Sequence, residues 1–308
     1  MVTPGRCANL SPPLMKRRRV LGAVLCVLAL PGRPEEAARD VYVIDHNFSR
    51  PDSRDRYTLQ LLNAALEASS TRYGAYELRR SPLSMERDRL LSEMRKGELV
   101  NLSAQITAPE WERQLIPIRI PVDKGLSGYR ISLIAGSKQA QFSAITTLEQ
   151  LKRLPLGAGR QWSSTAVFLR AGFEVAQGNS TAGLHSMLAA HRFEHFPRGI
   201  EEALFEQAAY APLFPGLAVE RSLAIYFPLP RYFFVTPGQP RLAERLEYGL
   251  RQLIAEGRFD QIFHHFYDEL IDKINLRQRR IFRLDNPMLS PQTPLANKAY
   301  WYDPLERK

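Results

Sequence analysis

The sequence predicts an α/β protein built as two successive sheets, and three observations carry that prediction. Short apolar runs of strand length alternate with segments whose apolar residues recur every three or four positions. The alternation occurs twice along the chain. Extended apolar stretches at 117–134, "PIRIPVDKGLSGYRISLI", and at 223–237, "LAIYFPLPRYFFVTP", separate and close the two sets, as strands carrying the chain between sheets would. A chain of 308 residues, 44% hydrophobic and 24% charged, is large enough to bury a core in each.

The first set reads β-α-β-α-β, the order of a parallel sheet with helices on its faces. "DVYVIDH" from Asp40 is a short strand, and "YTLQLLNAALEAS" places Leu61, Leu62, Ala65 and Leu66 on one helical face. "YGAYELRRS" is a second strand after a glycine turn. "SMERDRLLSEMRKG" is a helix bounded by Ser84 and Gly97, and "ELVNLSA" is a third strand. The second set runs through a helix at Thr147–Lys152, a strand near Leu156, a helix from Ser163, and the strand "FEVAQG". It continues with the helix "LHSMLAA", the strand "RFEHFP" and the helix "GIEEALFEQAAYA". Two amphipathic helices follow, one with Leu242, Leu246, Leu250 and Leu253 in register, the other with Ile262, Phe263, Phe266 and Leu270.

The ends are of a different character. Lys16 to Arg19 form a cationic cluster before an apolar run from Val20 to Leu30, which is too short for the ~20 residues a membrane span needs. A charged start, a short apolar run and small residues beyond it read as a cleaved signal peptide, with the cut after Gly32 or after Ala38. Residues 1–38 are therefore expected to be a leader, and the remainder a periplasmic protein. Both cysteines, Cys7 and Cys26, fall in that leader, so the mature chain has no thiol for catalysis, metal binding or a disulfide. The net charge of +10 is spread along the chain, and six basic against two acidic residues leave with the leader. No stripe suited to nucleic acid results. At the other end, residues 286–308 carry Tyr300, Trp301 and Tyr302, which suggest a tail packed on the surface.

Three segments resemble the periplasmic solute-binding proteins of the amino-acid type (family 3, type II two-lobe receptors of ABC transporters). "LRQLIAEGRFDQIFHHFY" (250–267) is similar to that family's closing helix pair. "ITTLEQLKRLPLGAGRQWSST" (145–165) is similar to its Gly-Thr-containing strand-to-helix segment, and "GLHSMLAAHRFEHF" (183–196) to a later helix-to-strand segment. The match covers roughly 85–275. It implies an α/β two-lobe periplasmic-binding-protein type II fold with two crossover strands and a hinge. Lobe 1 would be 39–125 with 225–285, and lobe 2 would be 126–224. It also implies a monomeric receptor for a small solute, serving a membrane permease or, alternatively, a membrane sensor, with no cofactor.

The resemblance and the local chemistry together nominate site residues. A helix N-terminus presents unpaired N–H groups and a partial positive charge, so it attracts anions. Ser163, Ser164 and Thr165 add hydroxyl donors there, and Trp162 stands where the family has a glycine. Arg113, in "TAPEWERQLIPI", lies where the family carries a carboxylate-binding arginine. Where the amino-acid receptors carry an aspartate for the ligand's ammonium group, this chain has Arg198 or Gly199, which argues for an anionic or carboxylate-only solute. The pairs His191/His195 and His264/His265 do not share a helical face in a way that suits a metal. Acid pairs such as Glu110/Glu112 and Glu201/Glu202 read as solvated faces, and no G-x-S-x-G, P-loop or H-E-x-x-H motif points to an enzyme.

Overall fold

A computed structural model describes residues 39–46 and 53–306. The expected leader, with both cysteines, lies outside the described residues, as does most of the loop after the first strand. Among the described residues no helix is long and apolar enough to cross a membrane.

The chain opens β1 (Asp40–Ile44), α1 (Ser53–Ala68), α2 (Ser70–Tyr73), β2 (Tyr76–Arg80), α3 (Arg87–Lys96), β3 (Leu102–Ile106), α4 (Pro109–Gln114) and β4 (Ile116–Ile118). It continues β5 (Tyr129–Ala135), α5 (Gln139–Ser143), α6 (Leu148–Lys152), β6 (Leu156–Gly159), α7 (Ser163–Arg170), β7 (Val175–Gly178), α8 (Thr181–Ala189), β8 (His195–Gly199) and α9 (Ile200–Tyr210). The remaining elements are β9 (Leu217–Val219), β10 (Leu223–Tyr226), β11 (Arg231–Val235), α10 (Pro240–Ala255), α11 (Arg258–Ile274) and β12 (Arg280–Arg283).

Two separate sheets form. The first has the order β2-β1-β3-β11-β4, the second β12-β10-β5-β8-β6-β7, with β9 beside β5. β1 runs parallel to β2 and β3, and helices supply the crossovers that such pairing needs. β11 arrives from the other sheet and is antiparallel to both β3 and β4. The apolar stripe of α1 (Leu61, Leu62, Ala65, Leu66) and that of α10 (Leu242, Leu246, Leu250, Leu253) are buried on the first lobe. Leu90, Leu91 and Met94 of α3 join Trp111, Tyr232 and Phe234 in a second cluster. In the second lobe Phe142, Leu151, Val167, Phe168 and Phe227 form one core, while Leu184, Leu188, Phe193 and Phe196 belong to the large cluster that also holds the α1 and α10 stripes.

Two features depart from the expected pattern. The buried stripe of α11 is Phe259, Phe263, Tyr267, Ile271 and Ile274, whereas Ile262, Phe266 and Leu270 are only partly buried. Spacing of four holds Phe259, Phe263, Tyr267 and Ile271 on a single face, and Ile262, Phe266 and Leu270 border it. The second departure concerns connectivity. The expected crossings occur, through residues 119–128 between β4 and β5 and through 227–230 between β10 and β11. A third follows, because α11 packs on α1 and α10 but leads into β12, which pairs in parallel with β10 from Leu223↔Arg280 to Tyr226↔Arg283. Residues 280–283 thus belong to the second sheet and not with the first lobe, since β10 presents an edge that a short strand can extend.

The tail then returns along the crossings. Asn286 Nδ2 donates to the Pro228 carbonyl at 2.8 Å, and the Tyr302 N–H donates to the Lys124 carbonyl at 2.7 Å. Tyr300 and Tyr302 are buried.

Candidate functional site

A cleft of about 960 Å³ opens between the two sheets. The first lobe contributes Arg56 from α1, Arg87 from the start of α3 and Ile106 from the end of β3. The second contributes Gln161, Trp162, Ser163 and Ser164 at the mouth of α7, Arg130 of β5, Arg198 of β8, and Glu201, Glu202, Phe205 and Glu206 of α9. A smaller recess of about 60 Å³ adjoins it, lined by Ile106, Leu126, Ser127, Arg130, Gly199, Glu201, Glu202 and Arg231 among others.

The mouth of α7 is open for the reason the sequence suggests. Trp162 occupies the N-cap in extended conformation, and no side chain caps the helix. The first-turn N–H groups of an uncapped helix need an outside partner, and Ser163 and Ser164 border the cleft there. Thr165 does not: it is buried, and its hydroxyl donates to the Gly159 carbonyl at 2.7 Å, tying the helix to the strand that precedes it.

Arg198 lines the cleft but is committed elsewhere. Its guanidinium donates to both carboxylate oxygens of Glu206, at 2.8 Å from Nε and 2.5 Å from Nη2. It lies 4.3 Å from the Trp162 ring centroid, and Glu202 approaches within 3.3 Å. His185 meets the same Glu206 carboxylate at 3.1 Å and stacks on Tyr210 with ring centroids 3.8 Å apart. The charge of Arg198 is neutralised by this fork, so it does not oppose an ammonium group as the sequence alone implies. Glu201 and Glu202, expected on a solvated face, border the cleft, and Glu202 accepts the Gly199 N–H at 2.9 Å.

Arg113 is not among the lining residues and is exposed on α4. The indole of Trp111 anchors that helix in the core, 5.4 Å from Phe234, which leaves Arg113, two positions on, facing outward. The first lobe offers two guanidiniums to the cleft, those of Arg56, which is exposed, and Arg87, which is half-buried. Arg87 donates to Gln105 Oε1 at 3.0 Å and to the Ile106 carbonyl at 2.7 Å, and its face covers the Trp111 ring at 4.8 Å. Both hydrogen-bond acceptors are neutral, and burial holds its pKa below the ordinary arginine value. The sequence held one clue to Arg87. A cation in the first turn opposes the helix dipole, so an arginine there asks for another reason.

No protein-family model matches the sequence, and no curated protein matches it. Solved structures do. An ancestral arginine-binding protein bound to glutamine aligns with a TM-score of 0.50 and 16% identity, over 75% of this chain and 99% of its own. The chain has the two-lobe fold of the type II periplasmic binding proteins. An ancestral arginine-binding protein bound to arginine aligns at a TM-score of 0.49 with 16% identity, over 74% of this chain and 99% of its own. A histidine kinase sensor domain with similarity to periplasmic binding proteins gives 0.49 and 14%, over 74% of this chain and 96% of its own.

Proposed function

We propose that this chain is a divergent solute-binding protein of the amino-acid type, exported to the periplasm, which captures a small carboxylate-bearing or amino-acid-like solute in its interlobe cleft. The observation that carries the reading is Arg87. It borders the cleft, its hydrogen bonds go to neutral acceptors, and among the described residues it forms no ion pair. A guanidinium in that setting gains most from a carboxylate, which it binds through two charge-assisted hydrogen bonds. The uncapped mouth of α7, with Ser163 and Ser164, borders the same cleft and supplies further donors. Trp162 forms part of the wall, with Arg198 as the residue that holds its ring in place. Closure of the lobes over the solute and hand-over to a membrane permease belong to the same reading.

Thermal-shift titration with small carboxylates and amino acids tests it. A ligand at a hundred times its Kd stabilises by about 2.7 kcal/mol. Arg87→Gln is expected to abolish the ligand-induced shift, read against the variant's own unliganded Tm because its bonds to Gln105 and Ile106 are also lost, and Arg113→Ala is expected to leave the shift intact. An undiminished shift in the Arg87→Gln variant would remove the carboxylate from this place.

A further inference from the structure

Two arginines of the first lobe lie on either side of Ile106. Arg87 donates to the Ile106 carbonyl, and Arg231 stands directly opposite Ile106 in the antiparallel β3–β11 ladder. Burial is the main cause that lowers the Arg87 pKa; Asp88 opposes it and Arg231 adds to it. Arg231 forms no ion pair and no side-chain hydrogen bond among the described residues, and its Nε atom is buried without a partner. A cation taken out of water without a counter-ion is costly. Glu202, in the wall of the recess that Arg231 borders, is already engaged by Arg130 at 3.5 Å and Arg198 at 3.3 Å.

The two open onto different spaces. Arg87 borders the main cleft and not the recess, while Arg231 borders the recess and not the main cleft. One anionic group therefore does not serve both. The spaces share Ile106, Arg130, Glu201 and Glu202 as common walls, so one molecule can extend from the first into the second. The recess, at about 60 Å³, has room for a group of a few heavy atoms and no ring.

We infer that the solute is a dicarboxylate, with one carboxylate at Arg87 and the mouth of α7 and the second in the recess at Arg231. The inference rests on the carboxylate reading above and narrows it.

Isothermal titration of the full mature chain with succinate, glutarate, adipate, L-aspartate and L-glutamate, each beside its monoamide, tests both separately. At least one diacid is expected to bind about tenfold or more tighter than its monoamide, the size of effect a charge-assisted pair supplies. Arg231→Gln is expected to erase that preference by weakening the diacid far more than its monoamide, and Arg231→Lys to keep part of it. Circular dichroism and the unliganded Tm establish that each variant is folded. Equal binding of every diacid and its monoamide, or a preference that survives Arg231→Gln, overturns the dicarboxylate and leaves the carboxylate receptor standing. Absence of binding by all these compounds overturns both.

Discussion

Arg198 and Glu206 form a two-pronged ion pair inside the second lobe, with Nε–Oε2 at 2.8 Å and Nη2–Oε1 at 2.5 Å, both side chains being at least nine-tenths buried. The pair joins β8 to α9, and the guanidinium's face lies on Trp162. Arg198, nominated from sequence as a ligand contact, lines the cleft and also braces its wall.

Removing one member of such a pair leaves a buried, uncompensated charge, which costs about 3–5 kcal/mol. Arg198→Met is expected to lower stability by that order in urea denaturation. Arg198→Met with Glu206→Leu is expected to recover a large part of the loss, because the stranded carboxylate is gone. If the double variant is no more stable than the single one, the brace is not the source of the cost.

The close approach of α1 and α10 depends on one missing side chain. A Cβ on Gly249 would stand 1.9 Å from the Ala65 carbonyl oxygen, a backbone atom that cannot swing aside. Gly249→Ala, which in an isolated helix would stabilise, is expected to destabilise by about 2–3 kcal/mol through forced separation of the helices. A gain in Tm would show that the helices can part at little cost.

How far the sequence revealed this arrangement follows from the range of the forces involved. The apolar stripes of α1 and α10 are local periodic signals, and both are buried as expected. The stretch at 117–134 shows its crossing through a glycine-bearing turn between two apolar runs, and β4 and β5 lie on its two sides in different sheets. β9 and β12, of three and four residues, exist only through pairing with β5 and β10, so no local pattern announces them. The mouth of α7 was legible because helix-terminus chemistry is local. Arg87 was not, because charged residues in "SMERDRLL" look alike until the sheet beneath fixes which one turns inward. Arg113 misled for the same reason: its neighbour Trp111, two residues away, decides the orientation of α4.

The tail bears on the hinge. Trp301 packs on Gly125, whose φ of +69° and lack of Cβ admit the ring, since a Cβ there would stand 2.4 Å from it. Tyr129, the first residue beyond that crossing, donates its hydroxyl to the Tyr302 carbonyl at 3.1 Å. Trp301→Ala is expected to cost about 3 kcal/mol and to broaden the interlobe distance distribution measured by paired spin labels, one in each lobe. An unchanged distribution would mean that the tail stabilises without restraining the hinge.

His195 makes the stability depend on pH. It is fully buried in β8, with Nδ1 2.8 Å from the Ser132 hydroxyl, and burial lowers its pKa from 6.5 to about 3. The folded chain therefore holds it neutral, while the unfolded chain binds a proton below about pH 6.5. Stability from this group is fully present above pH 6.5 and is lost progressively as pH falls toward 3, at no more than about 1.4 kcal/mol per unit. Between pH 7 and pH 5 most carboxylates stay ionised, so the window isolates histidine. Urea unfolding is expected to show a loss of about 2 kcal/mol over that window in the wild type, and a clearly smaller loss in His195→Asn, which keeps a polar group toward Ser132. Equal slopes in the two proteins would place the proton uptake on another group.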